Sequence, residues 1–309
     1  MKRILDCRAS DFRRMEREQL KGAILAAEGR TVIAETVAVT QPLLPEISNA
    51  ELAKAFGADM ILLNVFDVFN PVVRGLIPLD VFHPTGGEQG IANPIAEVKR
   101  LTGLPVGINL EPVDDSAQAV EQLSKLPEGR RATVDSLCKA KELGADFVCL
   151  TGNPKTGVTN QQIVHAIRRA NEHFGGLVIA GKMHGAGTRG RVIDREAALA
   201  FAEAGADIVL LPAPGTVPGL REEELAEIIF EVKGQGALAL AAIGTSQEGA
   251  DVDTVKAIAL SAKRAGADVF HIGDAGYTGI AVPDNIMALS MAIRGRRHTY
   301  IRMAASPLR

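Results

Sequence analysis

Four short apolar segments occupy the same place in a pattern that repeats along the chain. Each follows a Gly-Ala-Asp tripeptide, and each tripeptide follows a stretch rich in alanine and leucine. Glycine often ends a helix because it adopts the left-handed backbone conformation easily. A short apolar run without alternation is typical of a parallel strand covered on both faces. At each of these four places the pattern therefore predicts a helix that ends at the glycine and is followed by a buried strand.

Four further apolar segments alternate with these strands: RTVIAETVAV, LPVGINLEP, LVIAGKMH and ALALAAIGTS. The aspartates of the last three tripeptides, Asp146, Asp207 and Asp268, are spaced by 61 residues, which is room for two strand–helix units of about 30 residues. Eight such units predict an α/β fold, a single (β/α)8 TIM barrel. An open eight-stranded sheet is the alternative, which the even spacing and the lack of GxGxxG after the first strand disfavour.

The same pattern sets the expected organisation of the chain, which is one TIM-barrel domain over residues 1–309. We expect residues 1–30 to form an extra N-terminal helix that caps the N-terminal end of the barrel. Residues 31–298 form the barrel itself, and residues 299–309 form a C-terminal tail. The last helix contains the apolar stretch IMALSMAIRG, so we also expect a homo-oligomer.

Composition excludes several classes of protein. The chain has 34 basic and 37 acidic residues, a net charge of −3, which argues against nucleic acid as a partner. Its three cysteines lie far apart, so we expect no disulfide framework and a reducing, cytoplasmic location. Because we find neither a secretion signal nor an apolar stretch of about 18 residues, we expect no membrane partner.

Polar side chains cluster where the predicted strands end. Active sites of TIM barrels lie at the C-terminal ends of the strands, so these positions are the candidates for substrate contact. The candidate substrate-binding residues are Glu35, Asn64, Asn109, Thr151, Asn153, His271 and Asp274.

The last two loops, IGTSQEGAD and HIGDAGYTG, are rich in glycine. Barrels often bind phosphate here through backbone N–H groups. The candidate phosphate-binding residues are Gly244, Thr245, Ser246, Gly273, Ala275 and Gly276. Tight turns alone would also explain these glycines, and a carboxylate at Asp274 would repel a phosphate.

Lys182 is the most suggestive single residue, because it follows a buried apolar strand. Burial lowers the pKa of a lysine and exposes a neutral amine that can form a Schiff base. The amine could instead stay charged and bind a carboxylate or an enolate oxygen, or pair with Glu111 or Glu35. We expect His184, Glu111 or Asp67 to move a proton.

A divalent metal is a competing possibility. Oxygen and nitrogen ligands could come from Glu35, Asp67, Glu111, His184, His271 and Asp274. We find no compact motif such as HExxH, so the preferred hypothesis needs no cofactor, with Mg²⁺ as a possibility. Arg189 and Arg191, in the loop KMHGAGTRGRV, are candidates for clasping an anionic substrate.

Seven segments together resemble a family of largely uncharacterised bacterial (β/α)8 barrels: LDCRASDF, QPLLPEISNAELA, LTGNPKTGVTN, GKMHGAG, AIGTSQEGAD, HIGDAGYTGIA and RGRRHTY. Members are sometimes labelled phosphonomutase-like or haloacid-dehalogenase-like. The resemblance implies a barrel and a phosphorylated small substrate. The DxD pair of a haloacid-dehalogenase phosphotransferase does not follow the first strand, and GKMHGAG echoes the KKCGH-type loop of phosphonomutases with Met183 at the cysteine position.

These observations lead to one principal hypothesis. We expect an enzyme that acts on a small phosphorylated or carboxylated metabolite, by lyase, aldolase or isomerase chemistry next to a carbonyl. The alternatives are Mg²⁺-dependent enolate chemistry of the phosphonomutase and isocitrate-lyase type, or a barrel that binds a metabolite without turning it over.

Overall fold

The computed structural model describes residues 2–77, 91–117, 122–185, 192 and 194–309. Eight parallel strands close into a barrel in the order of the sequence, with β1 pairing β8. The fold is therefore the predicted (β/α)8 TIM barrel. Within the described ranges, no helix has both the length and the apolar character needed to cross a membrane.

The strands are short and buried along their length, as the apolar runs predict. Their bounds are β1 Thr31–Val37, β2 Met60–Asn64, β3 Val106–Leu110, β4 Phe147–Leu150, β5 Leu177–Gly181, β6 Ile208–Pro212, β7 Leu238–Ile243 and β8 Val269–Ile272.

Helices cover the outside of the barrel, and polar side chains cap several of their N-termini. Their bounds are α1 Ala9–Phe12, α2 Arg17–Leu25, α3 Asn49–Ala55, α4 Pro94–Thr102, α5 Val134–Glu142, α6 Asn160–His173, α7 Arg195–Glu203, α8 Glu222–Gly234, α9 Val252–Arg264 and α10 Pro283–Ala304.

Strand register decides which side chains point into the barrel, because residues paired across parallel strands share a face. Leu62 pairs with Gly107, and Gly107 pairs with Phe147. A Cβ at Gly107 would overlap the Phe147 ring, so the ring fills the space that the glycine leaves. Two residues further along β2 and β3, the same inward face carries Asn64 and Asn109, at the C-terminal end of the barrel.

The N-terminal end of the barrel is covered as predicted, although the segment is not a single helix. It forms a 3₁₀ turn over Ile4–Asp6, then α1 and α2. Arg17 Nε of α2 lies 2.8 Å from Oδ2 of Asp207, the residue just before β6. This ion pair ties α2 to the end of the barrel where the strands begin.

The C-terminal boundary differs from the prediction. Helical structure resumes after a kink at Gly295, where φ is 73°, and runs to Ala304, with both Thr299 and Arg302 buried. Residues 299–304 are therefore helical and packed against the rest of the chain. Arg302 Nη2 donates to the Ile4 carbonyl at 2.7 Å. The end of α10 is therefore held against the N-terminal segment.

Candidate active site

The C-terminal ends of the strands surround a cavity of about 180 Å³. Pockets for drug-sized ligands begin at about 300 Å³, so this cavity suits a small metabolite. Its lining combines residues from both early and late strands: Glu35, Asn64, Asn109, Thr151, Gly152, Asn153, Pro154, Met183, His184, Gly244, Thr245, Ser246, Glu248, Gly273, Asp274 and Ala275.

A larger hollow, of about 370 Å³, lies beside the barrel mouth between the loop after β3 and helices α5 and α6. Several of its polar side chains are already paired, although Nε of Arg169 has no hydrogen-bond partner among the described residues. Arg131 Nη2 donates to Asp115 Oδ2 at 2.8 Å, and Thr159 Oγ1 donates to Asp114 Oδ2 at 3.0 Å. The smaller cavity contains the less compensated groups and is therefore the candidate active site.

Asparagine side chains connect the ends of neighbouring strands at the cavity. Asn64 and Asn153 form a reciprocal amide pair at 2.8 and 2.9 Å, and Asn109 Nδ2 donates to Asn64 Oδ1 at 3.1 Å. Asn153 Nδ2 also donates to Glu111 Oε1 at 3.1 Å, and Arg130 Nη2 pairs with the same oxygen at 2.6 Å. This network holds the Asn64 amide in place above the barrel core.

The backbone after β2 is strained. Val65 has a φ of 56°, a left-handed conformation that β-branched residues rarely adopt. Its N–H donates to Asn64 Oδ1 at 2.8 Å. Strain of this kind persists where surrounding contacts over-determine the turn, and it is common at functional sites.

Asp274 is the partly buried carboxyl group next to Asn64, whose Nδ2 donates to Asp274 Oδ2 at 2.8 Å. Burial, reinforced by the negative charge of Glu35, raises the pKa of Asp274 to about 7, although the hydrogen bond from Asn64 opposes the shift. Near neutral pH this carboxyl group therefore exists in both protonation states. A group of this kind can both accept and donate a proton.

Glu35 lines the cavity, and His271 lies behind it. His271 is fully buried, and its Nε2 is 3.1 Å from Glu35 Oε2. That approach lacks hydrogen-bond geometry, and neither ring nitrogen has a hydrogen-bond partner among the described residues. Sequence reasoning placed His271 in contact with substrate, whereas the structure places it beneath Glu35.

Glu248 is a cavity residue that sequence reasoning missed. It is 2% exposed, and its Oε1 accepts a hydrogen bond from the Ala275 N–H at 3.1 Å. Burial raises the pKa of Glu248. The sequence contained a sign of this role, because Glu248 lies within a loop predicted to bind phosphate and its negative charge would repel a phosphate group.

The predicted phosphate loops do reach the cavity, but their backbone donors are partly occupied. Gly273 N–H donates to the Ile243 carbonyl at 2.9 Å, and the Ala275 N–H is taken by Glu248. Gly276 is not a lining residue. A side chain there would overlap the Ile280 carbonyl, so this glycine allows two backbone segments to approach closely.

His184 lines the cavity as predicted, whereas Lys182 does not. Lys182 is 4% exposed, and burial lowers its pKa. Lys182 follows Gly181, the last residue of β5, and is not among the residues that line the cavity. Burial also lowers the pKa of His184, which favours a neutral imidazole.

Two other predicted catalytic residues have local roles in the structure. Asp67 lies outside the cavity lining, and its Oδ1 accepts from the N–H groups of Phe69 and Asn70 in a turn. Glu111 is buried, and its carboxylate binds Arg130 and Asn153. Glu111 thus positions Asn153 rather than facing the cavity. Arg189 and Arg191 lie outside the described residues.

Several cavity groups have unused hydrogen-bonding capacity. Asn109 Oδ1, Thr151 Oγ1 and Glu248 Oε2 are buried without a hydrogen-bond partner among the described residues. Buried polar atoms normally have partners. Three unpartnered atoms in the lining of one cavity therefore indicate a place for a polar ligand.

Within the described residues, no group of three or more His, Cys, Asp and Glu side chains is arranged to hold a metal ion. Magnesium often binds through only one or two carboxylates and several waters, so the Mg²⁺ alternative stays a prediction.

The geometry defines a class of protein: a TIM barrel with a small acidic cavity at the C-terminal ends of its strands. A family model described as a domain of unknown function, DUF7916, matches residues 5–309. The chain belongs to this family. A comparison with curated protein sequences finds no match.

Many solved structures share the fold at low sequence identity. An archaeal fructose-1,6-bisphosphate aldolase is 17% identical, with a TM-score of 0.50 over 87% of this chain and 96% of that one. The carboxyl transferase domain of Rhizobium etli pyruvate carboxylase is 12% identical, with a TM-score of 0.51 over 96% and 52%.

A 2,3-dimethylmalate lyase of the PEP mutase/isocitrate lyase superfamily is 15% identical, with a TM-score of 0.48 over 85% of this chain and 80% of that one. None of these comparisons supports the haloacid-dehalogenase-like label.

Proposed function

We propose that this protein is an enzyme that moves a proton next to the carbonyl group of a small metabolite, as an isomerase or an aldolase-type lyase. The observation that supports this function is the convergence of Glu35, Glu248, Asp274 and His184 on one small cavity. In the described part of the chain, no lysine or arginine forms an ion pair with these carboxyl groups. Uncompensated buried carboxyl groups are costly, and they are common where proton transfer is needed.

Asp274 is the proposed general base and acid. In its ionised form it takes the proton from the carbon next to the carbonyl, and the electron pair of that C–H bond moves to the carbonyl oxygen. The neutral imidazole of His184 donates a hydrogen bond to this oxygen as its negative charge develops. The hydroxyl group on the deprotonated carbon passes its proton to the enolate oxygen and becomes the new carbonyl group. Protonated Asp274 returns its proton to the former carbonyl carbon, which completes an isomerisation.

The lyase version uses the same groups. Ionised Asp274 takes the proton of a hydroxyl group β to the carbonyl, and the carbon–carbon bond breaks. Its electron pair becomes the enolate of one product, and the new carbonyl forms on the other. The proton held by Asp274 then neutralises the enolate carbon. Neither version requires an external oxidant or reductant.

Deuterium exchange tests this proposal directly. Small hydroxyaldehydes and hydroxyketones are incubated with the protein in D₂O, and NMR follows label entering next to the carbonyl or cleavage of the molecule. We expect Asp274→Asn to slow the reaction about 100-fold or more, since general acid–base catalysis contributes about 10²–10⁴. Asp284→Asn, on the exposed start of α10, is the matched control.

Two results would refute the proposal. Equal exchange by the native chain and Asp274→Asn would remove Asp274 from the reaction. Ligands that bind this cavity but never exchange or cleave would mark a binding protein instead. Borohydride reduction during turnover gives a further check: because Lys182 does not line the cavity, we expect no substrate attached to it. Labelled Lys182 would establish the Schiff-base mechanism in place of this one.

A further inference from the structure

The turn between β7 and α9 carries an acidic side chain, Glu248, that reaches the backbone of the loop after β8. Backbone N–H groups in glycine-rich turns commonly bind anions. Here Glu248 Oε1 accepts the Ala275 N–H at 3.1 Å. A Cβ on Gly273 would lie 2.9 Å from the same oxygen, so the glycine leaves room for the carboxylate. The position expected for a bound anion is filled by the protein's own side chain.

The fold holds this carboxylate in place. Thr245 and Ser246 have φ values of 56° and 80°, which turn the chain sharply after β7. A 3₁₀ turn over Gln247–Gly249 follows. The buried Asn285 of α10 donates from Nδ2 to the Glu248 carbonyl at 2.9 Å and to the Ala250 carbonyl at 2.7 Å. Glu248 is therefore anchored by its backbone as well as by its side chain.

The second carboxylate oxygen of Glu248 indicates which chemical group the cavity can accept. Oε2 is buried without a hydrogen-bond partner in the described structure, and so is Oδ1 of Asn109, which also lines the cavity. Both atoms accept hydrogen bonds: Oδ1 of an amide always does, and Oε2 does when the carboxyl group is ionised. A hydroxyl group would supply a donor, whereas a phosphate would meet a carboxylate at close range.

We propose that Glu248 determines the specificity of this site, because its carboxylate takes the place of an anion in the β7 and β8 loops and selects a hydroxyl group instead of a phosphate. The substrate class is then an uncharged hydroxycarbonyl compound rather than its phosphate ester. This inference rests on the proposed function in one respect only, which is that the substrate binds in this cavity. It does not depend on which bond the enzyme breaks.

Sulfate binding tests the proposal without any turnover. Sulfate is titrated by calorimetry at pH 6, where Asp274 is mostly protonated, into the native chain, Glu248→Ala, Glu248→Gln and the exposed control Glu203→Ala. We expect both Glu248 variants to bind sulfate about tenfold more tightly or better, because a repulsive charge is gone. Glu248→Ala also releases the Ala275 N–H, so it should gain at least as much as Glu248→Gln, whose amide oxygen can still accept it. The control should behave as the native chain.

The proposal would be overturned if the native chain bound sulfate as tightly as the Glu248 variants do, so that neither variant gained sulfate affinity. A measurement on the native chain keeps the test independent of variant folding. Saturation-transfer NMR should detect dihydroxyacetone and not its phosphate ester. Preference for the ester, or no binding of the ketone, would also count against Glu248 as the selector. Failure of deuterium exchange would leave these binding results standing, so the two proposals can fail separately.

Discussion

The two ends of the barrel use the same kind of residue in opposite ways. At the N-terminal end, each repeat aspartate accepts a backbone N–H from the strand before it, at 2.8–3.0 Å: Asp59 from Val32, Asp146 from Val106, Asp207 from Val178 and Asp268 from Ala239. Each also pairs with at least one lysine or arginine. At the C-terminal end, Glu35, Glu248 and Asp274 have no such partner among the described residues.

This difference separates charges that stabilise the fold from charges available for chemistry. A buried carboxylate paired with a cation and hydrogen-bonded to the backbone is stable in its ionised form. A buried carboxyl group without a cation gains a proton more easily. Burial and the negative charge of Glu35 raise the pKa of Asp274 to about 7. The contrast can be tested by changing one residue at each end.

Removal of Asp59 should have the largest effect. Its carboxylate lies between Arg294 and Arg302, and the Arg302 Nε to Asp59 Oδ1 distance is 2.7 Å. Asp59→Ala leaves two buried guanidinium groups uncompensated, so we expect the free energy of unfolding to fall by about 3–5 kcal/mol. Denaturant unfolding followed by circular dichroism measures this loss.

Asp59→Asn distinguishes the role of charge from that of shape. Its amide oxygen can still accept the Val32 N–H, but it cannot neutralise the two arginines. We expect it to remain much less stable than the native chain. A loss below about 1 kcal/mol in both variants would show that the N-terminal cluster is not a stabilising element.

Asp274→Asn should show an intermediate effect that depends on pH. Below about pH 4 the carboxyl group is protonated in both the folded and the unfolded chain, so the native chain and the variant should be equally stable. Between about pH 4 and 7 the unfolded chain loses this proton while the folded chain keeps it, so native stability falls as pH rises. At pH 8 we expect the variant to be more stable by about 2 kcal/mol, a value reduced by partial exposure.

The sign of this difference is the decisive observation. Thermal and denaturant unfolding of both proteins at pH 4 and pH 8 would measure it. A variant less stable than the native chain at pH 8, or a difference that does not change with pH, would contradict the raised pKa and with it the contrast between the two ends.

The smallest effect is expected at Lys233, whose Nζ lies 2.8 Å from Asp268 Oδ1 with the lysine side chain 38% exposed. Lys233→Met should cost about 1 kcal/mol, because solvent screens the pair, and the cost should shrink as salt is added. Unfolding at low and high ionic strength tests this. A loss as large as that of Asp59→Ala would mean that cation pairing at this end matters regardless of burial.

The fold was largely predictable from the sequence because its signals are local. Each Gly-Ala-Asp tripeptide ends one helix and begins one strand, and the strands MILLN and IVLLP have the bounds that the repeat predicts. The end of α10 was not predictable in this way. RGRRHTYIR reads as a basic tail, whereas Asp59 and backbone carbonyls distant in sequence make burial of Arg294 and Arg302 favourable.

The sequence by itself determined the barrel, the end of it that holds the site, and most of the residues around the cavity, because strand order and periodicity are encoded along the chain. Tertiary structure alone decided the chemistry of individual side chains. Lys182 is buried outside the cavity lining, Glu111 is held by Arg130, and Glu248 fills the turn expected to bind phosphate. Protonation and access depend on burial and on neighbours brought from remote parts of the chain, and these appear only when the barrel closes.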